Sequence, residues 1–495
     1  MQNKIDMDLL TTPSCNTATL DVYVPSAGNP WNIDKVKHIY KRLNFSATQA
    51  DLDDALSSSP EVFIDGLIDA SLVQENLPAP LWANWSFDDY SDFETQNNEF
   101  VFDWRLVIGN GLYTEGLKGR LAFFWSNHFV TELDSYFYAP YLFKYYDDLQ
   151  THSFGNFKDF THAMGINSTM LLYLNGFENT ENSPNENYAR ELYELFTLGE
   201  GNGYTQSDIT ETARALTGYN HWETVGAQIT FDDSTHDTGI KTIFDQEGAW
   251  GYDDVINILF EQRGEQIATT IITKLYQFFV SPAVDAVIIE NIIAPLSQVL
   301  IDNNFEMAPV LRQLFKSEHF FDERARGVII KSPLDVIVGF TRETGFFYND
   351  QIVEAFLYYA GLMGQEILDP PDVSGWQRDE TWINASTLTG RWQLLDLYLN
   401  YLMGEGYIFS FVDLARELTN DSIDPAFIAR TMVDYFVPRN LHTEMDYETA
   451  TVIFKADVPQ NYYDDMTWSL SWSSAPNQVN LLLRHIFRIP EFQLK

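Results

Sequence analysis

Apolar residues recur three and four positions apart along most of this chain, a spacing that predicts helices rather than strands. Residues 1–30, broken by Pro13, Pro25, Gly28 and Pro30, read instead as an extended lead-in. From Trp31 the pattern turns helical. Asn32 caps a segment to Leu43, Thr48 with Asp51 opens a second, and Pro60-Glu61 opens a third to about Leu72. Leu77–Gln96, rich in Pro, Trp and Asp, reads as an irregular connection. Helical runs follow over Asp103–Phe129, 136–148, 157–174, the stretch from Asn185, and the segment opened by Gln206-Ser207-Asp208. Residues 220–250 break the period. There Ala227–Phe231 alternates, Asp232–Gly239 is turn-rich, and Lys241–Phe244 is expected to pair back as a hairpin. Helical spacing resumes over Asp253–Gln262, Glu265–Val280, Val287–Asp302 and Ala308–Lys316. It continues over 333–344, 351–363, 387–404, 410–418, 425–436 and 475–486, with Pro370–Trp376 as a rigid loop. No fixed-period repeat or linker composition divides the chain. The expected fold is mainly α: a single large multi-helical domain over 31–495, with a small β-hairpin excursion near residues 225–245.

One stretch has the sharpest partition, Asn185 to Gly199. On a wheel of 100° per residue, Glu186, Asn187, Arg190, Glu191, Glu194 and Thr197 share a sector roughly 140° wide. Leu195, Tyr188, Leu192, Phe196, Ala189 and Tyr193 fill the opposite side, and only Leu198 violates the division. Asn185 is a fitting cap and Gly199 a fitting stop. The polar face reads two ways. It is a solvated surface with i,i+4 pairs Glu186–Arg190 and Arg190–Glu194, or a wall of a polar site in a helical protein.

Charge narrows the partners. The chain holds 71 Asp and Glu against 30 Lys and Arg, a formal net charge of −41. Such a surface repels phosphate backbones, so nucleic acid is not an expected partner. It suits a marine or salt-exposed setting, where ions screen self-repulsion. Acidic pairs such as Asp232-Asp233 offer surface calcium or magnesium a weak hold. No run of about 18 apolar residues exists to insert in a membrane. Cys15 is alone, so neither an internal disulfide nor a thiolate metal site is expected. The first residues lack the basic start and apolar core of a signal peptide, so none is expected in the chain as given.

Four further segments carry chemistry-bearing residues. The first joins Lys118, Arg120 and His128; a histidine beside Trp125 is also an ordinary core residue. The second, Thr235–Lys241, offers a base (His236), a carboxylate (Asp237) and a cation (Lys241) on a Gly-containing turn. The third is Lys331-Ser332-Pro333 at a helix start. The fourth is Pro370–Trp376 with Trp382, Asn384 and Arg391. No Walker loop, dinucleotide fingerprint, His-Glu-x-x-His, nucleophile elbow or zinc cysteine pair occurs. Glu-x-x-His pairs for a di-metal bundle are absent too, since Glu318-His319 has the wrong spacing.

The ordered set Trp125–Phe129, Asn185–Leu192, Thr197-Leu198-Gly199, Ala215–Tyr219, His236-Asp237-x-Gly239-x-Lys241, Lys331-Ser332-Pro333 and Pro370-Pro371-x-Val373-x-Gly375-Trp376 resembles the bacterial domain of unknown function 1800 family. The resemblance runs from about Asn29 to the end. It departs in the first motif, where the family pattern usually reads Trp-His-Asn-His-Phe and Ser126 stands here. It implies export to the periplasm or extracellular space. It also implies a protein partner from a neighbouring exported family with a sulfatase- or phosphatase-like fold.

Two functional expectations follow. In the first, His128, Glu186, Asn187, Arg190, Glu191, Glu194, His236, Asp237, Lys241 and Lys331 converge on one enzyme-like cleft. It handles protons or an anionic group in a hydrolase or transferase, with a glycan or a partner protein as substrate. In the second, the same residues form a buried ion-pair network in a non-catalytic binding or assembly protein. No cofactor is expected. Arg190 sits amid the carboxylates and Ser126 replaces a histidine, which disfavours a central transition metal.

Overall fold

The computed structural model describes residues 19–221, 228–376, 378–456 and 458–495. Residues 1–18 of the expected lead-in, with Cys15, and Ala227 at the start of the expected hairpin lie outside them. The molecule is mainly helical, with two small two-stranded antiparallel sheets. Buried apolar side chains from Tyr23 to Phe492 form one contiguous cluster.

The helix at the centre is Pro333–Thr344, not the Asn185 stretch. Every residue of it except Arg342 is buried. A helix covered on all sides needs neighbours on all sides, and it packs on helices Phe93–Thr114, Asp350–Leu362 and Ala385–Gly404. Ser332 and Asp335 form its capping box, Pro333 occupies the first turn, and Gly345 at φ +62° ends it. Gly339 lets another segment cross, because a Cβ there would meet the Phe45 carbonyl oxygen at 2.9 Å. The C-terminal part is a layer of helices. Ile408–Thr419 and Glu444–Lys455 both pack on Ala475–Ile486, and Pro425–Phe436 links them.

Several expectations change in detail. The single hairpin is replaced by two pairs: β1 (Tyr219–His221) with β2 (Thr230–Phe231), and β3 (Lys241–Ile243) with β4 (Gln246–Gly248). The cause is local. Phe244 and Asp245 both take positive φ, +46° and +63°, which closes a two-residue turn and pairs β3 with the residues just after it. The Asp103–Phe129 run starts earlier and is two helices, Phe93–Thr114 and Gly116–Ser126, divided at Gly116 with φ +56°. The runs Asp253–Gln262 and Glu265–Val280 join as Tyr252–Phe279 across a kink at Arg263, whose φ is −134°. Helix Glu444–Lys455 was not expected. Only Tyr447, Ala450 and Phe454 are buried on it, and Thr449, Thr451, Val452 and Ile453 blur its helical signature.

Candidate functional site

The Asn185 stretch is a short α-helix, Asn187–Glu191, that widens into a π-helix over Leu192–Thr197. An extra residue in a turn advances the phase of everything after it. Leu198, the wheel's exception, is consequently fully buried, and so is Thr197 from the supposed polar face. The wider turn also frees carbonyls. The Leu195 carbonyl accepts from Lys274 Nζ at 2.6 Å, and the Phe196 carbonyl stands 3.1 Å from His128 Nε2.

Those two contacts define His128. A carbonyl only accepts, so Nε2 carries the proton and Nδ1 keeps its lone pair. Nδ1 receives Lys274 Nζ at 3.2 Å. Burial first, and the Lys274 charge second, hold the imidazole well below its ordinary pKa, so it is neutral. Burial, then Arg378, lowers Lys274 to about 7. Both ring nitrogens of His128 are thus committed to protein atoms. Among the described residues, no three His, Cys, Asp or Glu side chains gather as a metal-binding set.

His128 and Lys274 open on a cavity of about 300 Å³ between the Gly116–Ser126 and Tyr252–Phe279 helices, the start of the central helix, and the Trp376–Trp382 loop. Phe123, Phe278, Trp376 and Trp382 supply aromatic walls. Trp376 stacks on Phe123 with ring centroids 5.0 Å apart. Arg378, exposed at the mouth, makes no hydrogen bond or ion pair through its guanidinium among the described residues, although Asp379 follows it. Deeper in, Asp335 stands 2.8 Å from Arg120 Nη1 and 2.5 Å from Lys495 Nζ, and accepts the Ser332 N–H at 3.1 Å. Burial alone would raise the Asp335 carboxyl, but Arg120 and Lys495 hold it well below the carboxylate range. Arg120 lies between the rings of Phe45 and Phe278, at 4.5 and 4.7 Å.

The other nine sequence candidates do not line this cavity. Glu186, Arg190 and Glu194 make the expected i,i+4 pairs at 3.1 and 3.4 Å, half exposed. Glu186 also accepts from Thr210 and Gln206, which lower its carboxyl below its ordinary value. Asn187 is exposed, and half-buried Glu191 is raised by burial and by Glu194. The His236 loop is a clasp on helix Gln206–Ala215. His236 Nδ1 donates to the Thr217 carbonyl at 2.8 Å, and Asp237 takes Arg214 Nε at 2.7 Å. Burial would raise Asp237, but Arg214 and the Gly239 N–H hold it down. Lys241 Nζ donates to the Asp237 and Gly239 carbonyls. The Glu186 cluster and the clasp meet on one helix, through Gln206 and Thr210 at one level and Glu211 and Arg214 at the next. Lys331 is buried beside the central helix. Its Nζ has no hydrogen-bond partner among the described residues, lies 4.1 Å from the Phe492 ring centroid, and is lowered by burial to about 7.

Sequence reasoning found His128, Trp376 and Trp382 but missed Lys274, Arg378, Asp335 and Lys495. A signal for Lys274 existed: it is the one charged residue in the otherwise uncharged run Gln266–Pro282. Arg378 and Lys495 carry none that a local pattern detects.

The motifs that join here, Asn127-His128, Ser332 and Gly375-Trp376, are those of the resemblance drawn from the sequence. The model of the family described as "Protein of unknown function (DUF1800)" matches residues 38–494. The chain belongs to the DUF1800 family. No curated protein and no solved structure matches it. DUF1800 membership supplies no activity, so function rests on the geometry.

Proposed function

We propose that this DUF1800 protein binds a small anionic molecule in the cavity between His128, Lys274 and Arg378, as the first step of an acid–base reaction on it. The observation that carries the reading is an inversion of charge. In a chain of net −41, the cavity is lined by Lys274, Lys495 and Arg378 against two carboxylates, Asp335, which Arg120 and Lys495 already hold, and Asp379 beside Arg378, whose guanidinium makes no hydrogen bond or ion pair among the described residues. An unpaired guanidinium at a cavity mouth is suited to a carboxylate, sulfate or phosphate. The volume of about 300 Å³ lies at the small end of ligand sites, and the Trp376 and Trp382 walls suit a compact organic acid such as an acidic sugar. Lys274, lowered to about 7 and held by His128 Nδ1, would move a proton next to the bound anion. Titration of sulfate, phosphate and galacturonate, at ionic strength matched with chloride, tests this by thermal unfolding. Saturable stabilisation is expected, and Arg378→Met should remove it. Equal stabilisation by chloride, or no effect of the substitution, would overturn it.

The assembly reading draws support from a different observation. The Arg120–Asp335–Lys495 triad and the Lys41–Glu343 pair are buried and link distant segments, as a packing network would. Stability without ligand response in the same titration would favour it.

A further inference from the structure

Lys274 is held in an unusual way for a cavity lysine. Its Nζ faces two protein acceptors, the Leu195 carbonyl at 2.6 Å and His128 Nδ1 at 3.2 Å. These two acceptors occupy two of the three positions around Nζ and leave the third, a proton or a lone pair, with no protein partner among the described residues. The π-turn supplies the first acceptor, and the Phe196 carbonyl fixes the tautomer that makes His128 the second. The same side chain borders the cavity and shares it with Arg378.

From this geometry we infer that Lys274 is a nucleophilic amine that forms an imine with a small oxo acid, whose carboxylate is taken by Arg378. The inference rests on the anion-binding reading above and specifies its substrate class as a molecule with both a carbonyl and an acid group. Nζ attacks the carbonyl carbon. A C–N bond forms as the C=O π pair moves to oxygen, which takes up a proton while the nitrogen loses one to water or to the ligand's acid group. The carbinolamine hydroxyl then takes one further proton and leaves as water, the nitrogen pair closing the C=N bond. The balance is amine plus carbonyl plus one proton, giving a protonated imine and water. No oxidant, reductant or metal enters. Burial and a neighbouring cation favour a nucleophilic over an ammonium lysine, and both are present in Lys274's surroundings.

Glyoxylate with cyanoborohydride tests the inference on the unmutated full chain at neutral pH. Hydride reduces the imine carbon and leaves a stable carboxymethyl group on Nζ, mapped by peptide mass spectrometry. Labelling of Lys274 is expected at least about tenfold above that of Lys158 and Lys455. The margin reflects the larger neutral fraction of an amine lowered toward 7. Sulfate should protect Lys274, and Arg378→Met should slow its labelling without slowing labelling by propanal, which has no acid group. Sulfate binding with Lys274 labelled no faster than Lys158 overturns this inference and leaves the anion reading standing. Absence of saturable sulfate binding overturns the anion reading. If propanal alone then labels Lys274, the oxo-acid specificity falls with it. Site mapping in the native chain keeps the result readable even where Lys274→Met fails to fold.

Discussion

The side-chain oxygen of Asn127 accepts the backbone N–H of Trp376 at 2.6 Å, across 249 residues of sequence. This bond seats the tryptophan loop over the helix that ends at Ser126 and brings Trp376 against Phe123. It is possible because residue 375 is glycine. Gly375 has φ +91°, and a Cβ there would lie 2.3 Å from Asn127 Oδ1. Gly375→Ala therefore meets both backbone strain and a clash. A loss of about 2–3 kcal/mol is expected in urea unfolding, together with weakened anion response, because the loop carries Arg378. Unchanged stability would show that the loop does not need this seat.

Asp335 and Glu186 separate buried from exposed charge. Asp335→Asn leaves Arg120 and Lys495 without their shared carboxylate inside the protein, and about 3–5 kcal/mol of stability should be lost. Glu186→Gln removes a half-exposed partner of Arg190, Gln206 and Thr210, and should cost less than about 1 kcal/mol. Equal effects in chemical denaturation would remove the distinction between the central network and the Asn185 face.

Lys331 gives the stability a pH slope. Its folded pKa is lowered to about 7 by burial, below the ordinary lysine value near 10.4. Between those values the unfolded chain binds the proton and the folded chain does not, so stability rises with pH through that window. Below about pH 7 both states hold the proton and the penalty of the buried charge is fully present. Lys274 and Lys495, lowered by burial to about 7, and Lys37, lowered to about 8, act in the same direction. Lys331→Met should raise stability at pH 7 by about 1–3 kcal/mol. It should also reduce the alkaline slope by up to one proton. Denaturation midpoints between pH 6.5 and 9.5 measure both, and an unchanged slope would refute the assignment.

What could be read in advance follows from how local each signal is. Pro333–Thr344 and Ala475–Ile486 begin and end where their apolar spacing, with the Ser332 box and the first-turn prolines, says they should. The π-turn could not be read that way, because a wheel assumes one residue per 100° and Leu198 was its only complaint. The same locality limits the site. His128 stands in a recognisable motif, whereas Lys274 gains its meaning from the Leu195 carbonyl and Arg378, each far away in sequence. The His236-Asp237-x-Gly239-x-Lys241 pattern is compact enough to notice, but its donors and acceptors close on Thr217, Arg214 and the loop itself.

Asp335 also bears on the order in which the chain acquires its shape. Arg120 is 215 positions before it, and Lys495 is 160 positions after it. The Lys331 N–H donates to the Gln493 carbonyl at 2.8 Å, so the Pro490–Gln493 turn also covers the start of the central helix. On a ribosome the helix emerges long before this partner does. Its carboxylate must stay hydrated, or rest on Arg120 alone, until Lys495 has emerged. Contacts of such long separation form slowly, so the docking of the Pro490–Gln493 turn and Lys495 onto the central helix comes late in folding. A nascent chain arrested short of Gln493 would accordingly be the protease-sensitive and chaperone-dependent form of this protein.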